Sequence, residues 1–360
     1  MTNHQLAEHL KRFPVERKFL VGFEGTTLPP ELREWLKKGL GGVAIYPRNF
    51  AGSKSLAALT GEIHAAAGRH VLIGIDQEGG TRFSLPEPFT QWPSPAELGK
   101  LGDAEVVREI ARAIGRELSA VGCNLDFAPM LDLHLNSASP VTQVRSFGAH
   151  PELVGRLGAA FLYGLGDAGV LGCAKHFPGH GDAQVDPHKD LPVFHGTAER
   201  LAKVDMIPFD AAIAMGAPTI MTAHILLPKI DADQPASLSR GVLTGILRER
   251  MGFRGLILAD DLAMGAIAKR YAVGDAAVAT FAAGADIAML CHDISQVEPA
   301  MAATVHALNS GALSREEWEV SGERIEKTIS AIDPASSSLD EIGCAGHRAL
   351  AARVRARLGN

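Results

Sequence analysis

Gly169-Val170-Leu171-Gly172-Cys173-Ala174-Lys175-His176-Phe177-Pro178-Gly179-His180-Gly181-Asp182-Ala183-Gln184-Val185-Asp186-Pro187-His188 is the stretch on which the fold is decided. Its first six residues are short-chain or apolar, follow a segment of helical periodicity and end at a charge. Such a run predicts a buried parallel strand whose C-terminal end delivers Lys175 and His176. Pro178, Gly179 and Gly181 then forbid regular structure, so a surface loop carries His180, Asp186 and His188 onward. A polar loop rich in glycine and proline is ordinarily a solvated connection. One lysine, three histidines and two aspartates directly after a buried strand point instead to an active site.

Working outward, seven more apolar runs have the same character: Lys18 to Phe23, Gly42 to Tyr46, Val71 to Ile75, Cys123 to Pro129, Thr219 to Ala223, Gly255 to Ala259 and Ile287 to Leu290. Helical periodicity separates most of them, as in 53–68, 104–121, 152–167, 204–215 and 240–251, and a further helix is expected over 3–11. The third connection is the longest, and Pro86, Pro88, Pro93 and Pro95 interrupt it, so extra loop and helix are expected there. Repeated β-then-α predicts a parallel α/β sheet, and eight repeats favour closure into a TIM-type (β/α)8 barrel. The barrel is expected to form a single domain over 1–333, with helices at 294–309 and 315–332. A short linker and a C-terminal amphipathic helix, packed on the barrel, are expected over 334–360. The arginines of that helix read as a solvated face.

Charged or polar residues stand at the ends of successive strands: Glu24, Arg48, Asp76, Asp132, Lys175-His176, His224 and Asp260-Asp261. In a barrel those ends meet on one face, where such enzymes place their chemistry. A doubly wound sheet would gather them only near its switch point. Neither G-x-G-x-x-G after a first strand nor a P-loop is present, so nucleotide binding is unsupported. A net charge of -6 with scattered Lys and Arg, and few aromatics, argues against nucleic acid. Cys123, Cys173, Cys291 and Cys344 lie far apart without paired spacing, which suggests neither a disulfide framework nor a zinc knuckle. With no apolar signal region after Met1 and no run of membrane-spanning length, the expectation is a cytoplasmic protein with no membrane partner, monomeric by default.

In Leu256-Ile257-Leu258-Ala259-Asp260-Asp261, successive side chains point to opposite sides of a strand, so one carboxylate faces the barrel mouth and the other turns away. Asp261, before Leu262-Ala263-Met264, reads as a cap for the next helix, leaving Asp260 as candidate nucleophile. A carboxylate nucleophile needs an acid partner. Asp186, two residues from His188, can hold that imidazole and stabilise its protonated form. A metal centre built from His176, His180, Asp182, Asp186 and His188 is the competing reading. The absence of His-x-His and the presence of Lys175 weigh against it, and no metal or other cofactor is expected.

The run Lys175-His176-Phe177-Pro178-Gly179-His180-Gly181 with Asp186 and His188 resembles the signature of the NagZ-type β-N-acetylhexosaminidases of glycoside hydrolase family 3. Asp76-Gln77-Glu78-Gly79-Gly80, Asn124 to Pro129, Arg145-Ser146-Phe147-Gly148, Met221-Thr222-Ala223-His224 and Asp260-Asp261-Leu262 are similar to further motifs of that family. The resemblance implies a retaining exo-β-N-acetylglucosaminidase acting on peptidoglycan fragments in cell-wall recycling. Asp260 would form the covalent intermediate and His188, oriented by Asp186, would act as acid/base. It implies sugar contacts from Asp76, Arg82, Arg145, Lys175 and His176. Three departures stand out. Pro187 replaces a small hydroxyl residue, Ala259 replaces a common Ser or Thr, and the stretch Asp76 to Phe83 is about two residues short, so the role of Arg82 depends on where the gap falls. A phosphorylase, a β-glucosidase or β-xylosidase on the same barrel, and a sugar-binding non-enzyme are the alternatives.

Overall fold

The computed structural model describes residues 12–180, 183, 185–332 and 337–359. The helix expected over 3–11 and most of the expected linker lie outside the described residues, as do Gly181, Asp182 and Gln184. The strands are β1 Phe19–Val21, β2 Gly42–Ala44, β3 Leu72–Ile75, β4 Leu125–Asp126, β5 Leu171–Phe177, β6 Thr219–Thr222, β7 Leu226–Leu227, β8 Asp231–Pro235, β9 Leu256–Asp261 and β10 Ile287–Leu290. Eight of them close a parallel barrel in the order β1-β10-β9-β6-β5-β4-β3-β2. This is the TIM-type (β/α)8 architecture, with all eight barrel strands where the apolar runs put them.

Strand alternation sorts the residues into two cores. Leu20, Leu72, Leu125, Cys173, Met221, Leu256, Leu258, Ile287 and Met289 fill the barrel interior. Phe19, Val21, Ile73, Ile75, Ala174, Ile220, Ile257 and Leu290 pack outward against the helices. The period of two continues past the strand ends. Asp76, Lys175 and Asp260 each lie an even number of residues beyond an inward-facing position, and all three line a cavity at the mouth. Phe127 closes the floor of that cavity. Its ring lies over Gly74, where a Cβ would come within 2.3 Å of it, so only glycine fits.

The register slips by one residue between β9 and β10 near Asp260, and between β5 and β6 near Lys175-His176. Bulges of this kind re-aim side chains at barrel rims. The seam of the barrel is made by β1 and β10, with Leu20 opposite Met289 and Gly22 N–H donating to the Leu290 carbonyl at 2.9 Å. Arg48 reinforces it by donating to the carbonyls of Cys291 (2.5 Å) and Phe23 (3.0 Å).

The long third connection holds the helix Pro95–Leu101, opened by a Ser94/Glu97 capping box, and then the helix Ala104–Ala120. The antiparallel pair β7-β8 was not expected from the sequence. One strand is only the two leucines 226 and 227 and the other is polar, and the pair forms where Leu226 also pairs with Pro192 and Phe194. It therefore backs the segment that follows His188. No helix among the described residues is long and apolar enough to cross a membrane.

Candidate active site

A cavity of about 210 Å³ opens at the C-terminal ends of the barrel strands. It is small beside the roughly 300–1,000 Å³ of drug-sized sites and suits a single small ligand unit. Asp76, Arg82, Arg145, Lys175, His176, Asp186, His188 and Asp260 all line it. The eight residues given catalytic or sugar-contact roles from the sequence thus come to one place.

One wall is a buried charge cluster. Lys175 Nζ donates to Asp76 Oδ1 at 2.6 Å and lies 2.7 Å from Glu78 Oε1. Arg145 grips Glu78 through two bonds, Nε to Oε2 at 2.8 Å and Nη2 to Oε1 at 2.6 Å. Burial alone would raise the Glu78 carboxyl, but Arg145 and Lys175 outweigh it and hold the group at about 2. Desolvation likewise pulls Lys175 down, and the two carboxylates more than restore it, so it remains charged. Phe83 covers this cluster. It is the one non-glycine residue with positive φ (50°) among the described residues, and its ring lies 4.2 Å from the Arg145 guanidinium. A non-glycine residue in that region is strained, and here the turn that strains it is closed by Glu78 N–H donating to the Phe83 carbonyl at 2.8 Å.

Asp132 organises the loop after β5. Its carboxylate accepts from His176 Nδ1 (2.6 Å), His176 N–H (3.2 Å) and His180 N–H (2.7 Å). Burial pushes this carboxyl up, and the imidazoles with the His180 N–H bring it down to about 2. His176 is thereby oriented through Nδ1, and its ring lines the cavity. Desolvation lowers His180 to about 4, so that ring is neutral and packs edge-on against His176 at 5.2 Å. Asp132, His176 and His180 offer donor atoms within 4.8 Å of one another. The hydrogen bonds already made to Asp132 give that carboxylate a loop-holding role instead.

The opposite wall carries the dyad. His188 Nδ1 donates to Asp186 Oδ1 at 2.9 Å, and His188 N–H donates to the same oxygen at 3.0 Å. Burial raises the Asp186 carboxyl, but these two bonds hold it below the usual carboxylate range. The His188 side chain is 57% exposed, so its other nitrogen is open for proton transfer. The loop is seated by backbone contacts. Ala266 N–H donates to the Pro187 carbonyl (3.0 Å) and Gly265 N–H to the His188 carbonyl (3.2 Å).

Asp260 accepts a hydrogen bond from Asp261 N–H at 2.8 Å. Burial raises its carboxyl, but His224, His176 and that N–H outweigh burial and keep it below the ordinary value. It is an ionised carboxylate in the cavity, as a nucleophile must be. The N-cap role is held by Met264, and Asp261, expected to turn away from the mouth as a helix cap, lines the same cavity. Its Oδ1 accepts from Ala263 N–H (3.0 Å) and Cys291 N–H (3.1 Å), and its Oδ2 pairs with His292 Nδ1. Asp261 therefore ties the end of β9 to the end of β10, because the bulge turns it toward that strand. Arg82 sits exposed at the rim with Nη1 donating to the Pro140 carbonyl at 3.0 Å.

Sequence reasoning assigned no role to Glu78, Phe83, His292 or Tyr46, all of which the site employs. His292 lines the cavity and lies 5.8 Å from the Tyr46 ring. The signal for His292 was present, since it lies two residues past the eighth strand, as Asp132 closely follows the fourth.

Comparison with known proteins agrees with this geometry. The glycosyl hydrolase family 3 N terminal domain matches residues 20–328. Beta-hexosaminidase A of Pseudoalteromonas piscicida is 34% identical over 91% of this chain, and the chain spans 60% of the length of that relative. A glycoside hydrolase family 3 β-N-acetylglucosaminidase from Paenibacillus sp. superposes with a TM-score of 0.90 at 37% identity, covering 96% of this chain and 68% of that one. NagZ from Neisseria gonorrhoeae, solved with N-trifluoroacetyl-D-glucosamine, superposes at 0.79 with 30% identity, covering 95% and 98%. The chain belongs to glycosyl hydrolase family 3, among its NagZ-like members.

Proposed function

We propose that the chain is a retaining exo-β-N-acetylglucosaminidase that releases terminal GlcNAc from peptidoglycan fragments of the kind formed in cell-wall turnover. The observation that carries this reading is the meeting of Asp260 and the Asp186–His188 pair in one small cavity, beside a buried charged wall. The hexosaminidase names of the relatives and the glucosamine derivative bound by the Neisseria protein support the sugar class.

Asp76, Lys175, Arg145 and His176 bind the hydroxyls of the terminal sugar, with charge-assisted hydrogen bonds strengthened by burial. Asp260 attacks the anomeric carbon while His188, protonated, gives its proton to the leaving oxygen. The resulting neutral imidazole takes a proton from water, which attacks the anomeric carbon and frees Asp260. Asp186 fixes the ring through Nδ1, keeping the other nitrogen aimed at the leaving group. The apolar lining from Phe127, Met221, Met264 and Met289 receives the C–H faces of the ring and a methyl group.

The test compares p-nitrophenyl GlcNAc with the matching glucoside, followed by peptide mapping of the adduct left by a slow-turnover substrate. A clear preference for GlcNAc and a sugar on Asp260 are expected. A preference for the glucoside, an adduct elsewhere, or release of GlcNAc 1-phosphate in phosphate buffer overturns the reading.

A further inference from the structure

Far along the sequence from these residues, Glu341-Ile342-Gly343-Cys344-Ala345-Gly346-His347 brings three metal-ligand side chains together. Glu341 ends the turn Leu339–Glu341, Cys344 is the N-cap of the helix Ala345–Leu358, and His347 lies in its first turn. Donor atoms of the three lie within 4.8 Å of one another. His347 Nε2 is 3.8 Å from Glu341 Oε2, too long for a hydrogen bond. It is near the edge of about 3.3–3.8 Å that a tetrahedral zinc site requires with bonds of roughly 2.0–2.3 Å.

A second observation comes from a different element. Glu117, buried in the helix Ala104–Ala120, accepts His347 Nδ1 at 3.0 Å. It also accepts Thr90 N–H (3.0 Å) and Gly343 N–H (2.9 Å), so it is saturated with donors. With Nδ1–H donating to Glu117, the neutral ring of His347 presents the lone pair of Nε2 toward Glu341. A carboxylate behind the imidazole is the arrangement that orients metal-ligating histidines. The other oxygen of Glu341 faces Arg116 at 3.9 Å, which leaves Oε2 for a metal. Cys344 is partly exposed whereas Cys123, Cys173 and Cys291 are buried, so ions in solution reach this thiol first.

We propose that Glu341, Cys344 and His347 bind one zinc ion, with water as fourth ligand, and that the ion clips the C-terminal helix onto the barrel through Glu117. Paired cysteine spacing is absent at this site because a single thiolate is joined by a carboxylate and an imidazole. The full chain, stripped of metal under a thiol reductant, is titrated with cobalt and then zinc. One equivalent of cobalt should give a thiolate-to-metal charge-transfer band that zinc abolishes, and zinc should raise the Tm while leaving kcat on an aryl GlcNAc unchanged. Cys344→Ser should remove the band, and Glu117→Gln should weaken binding by about tenfold to a hundredfold. Cobalt held by His176 and His180 would give no thiolate band. Absence of the band in the wild-type protein, or its survival in Cys344→Ser, overturns the proposal.

Discussion

The two walls of the cavity are built on opposite plans. The wall holding Asp76, Glu78, Arg145 and Lys175 is dry: side-chain exposures are 17%, 0%, 7% and 3%. Its charges are locked to one another by side-chain bonds spanning up to 99 residues. The wall holding Asp186 and His188 is wet, and it is positioned by backbone hydrogen bonds to Gly265 and Ala266. Groups that recognise a ligand gain from desolvation and rigidity, because charge-assisted bonds strengthen away from water. A group that must gain and lose a proton in each cycle needs access to water and a ring held in one orientation. Under the proposed function, the difference suits the dry wall to binding and the wet wall to proton transfer.

Asp260 stands between the walls, and its loss should have the largest effect. Asp260→Ala is expected to lower kcat by on the order of ten-thousand-fold or more, with little change in Tm, since its carboxylate accepts one local N–H. Steady-state rates and thermal unfolding check both halves. If Asp261→Ala removes activity while Asp260→Ala spares it, the strand-facing assignment fails.

Next comes the wet wall. His188→Ala should cost roughly a hundred- to ten-thousand-fold on a GlcNAc disaccharide, whose leaving alcohol needs a proton. An activated aryl glycoside should suffer much less, and azide should speed breakdown of the accumulated adduct. Equal losses on both substrates without azide rescue would make His188 chemically idle. Stability should barely move, because the side chain is mostly exposed.

Glu78→Gln should reverse that pattern. Removing one partner of a buried charge cluster costs about 3–5 kcal/mol, to be read by denaturant unfolding. The sign of the pH dependence follows from Glu78 being lowered from 4.5 to about 2. Its contribution is fully present above 4.5 and is lost as pH falls toward 2. The wild-type protein should therefore lose stability over that window more steeply than Glu78→Gln. Equal slopes would dissolve the distinction between the walls.

The smallest effect sharpens the comparison. A Cβ on Gly265 would come within 2.6 Å of the His188 carbonyl oxygen and 2.8 Å of the Lys189 carbonyl oxygen. Gly265→Ala should displace the dyad and lower kcat by up to about a hundredfold, while inhibition by free GlcNAc stays as in the wild type. A matching loss of GlcNAc affinity would show that the walls are coupled.

Much of this was legible in the sequence, for reasons that particular residues illustrate. Leu256, Leu258 and Asp260 share one face by strand periodicity, which brings Asp260 to the mouth without coordinates, whereas the irregular end of the strand brings Asp261 to the same cavity. Lys175 and His176 were found because a buried run ended in charge. Glu78 was quoted only as part of a motif, because its partners Arg145 and Lys175 are 67 or more residues away and meet it through barrel closure. Phe83 escaped notice since nothing in Thr81-Arg82-Phe83-Ser84 announces a positive φ. Asp261 was read as a local cap because local patterns cannot register a bulge that turns it toward His292. In the pair β7-β8, Leu226–Leu227 is too short to show alternation and Asp231–Pro235 is too polar to read as a strand.

The seam has a consequence in time. Arg48 reaches the Cys291 carbonyl across 243 residues, and β1 finds its second neighbour only in β10. A chain growing from its N-terminus holds β1 through β6 long before β10 exists. During that interval β1 has an open edge, and the mouth has neither Asp260 nor His292. Contacts of such high sequence separation form slowly, because a long loop must close before they repay its entropy. The site is thus among the last parts of the molecule to come into being. On refolding from denaturant, helical signal should return ahead of glycosidase activity, and a fragment ending before β10 should have the helices without the catalytic mouth.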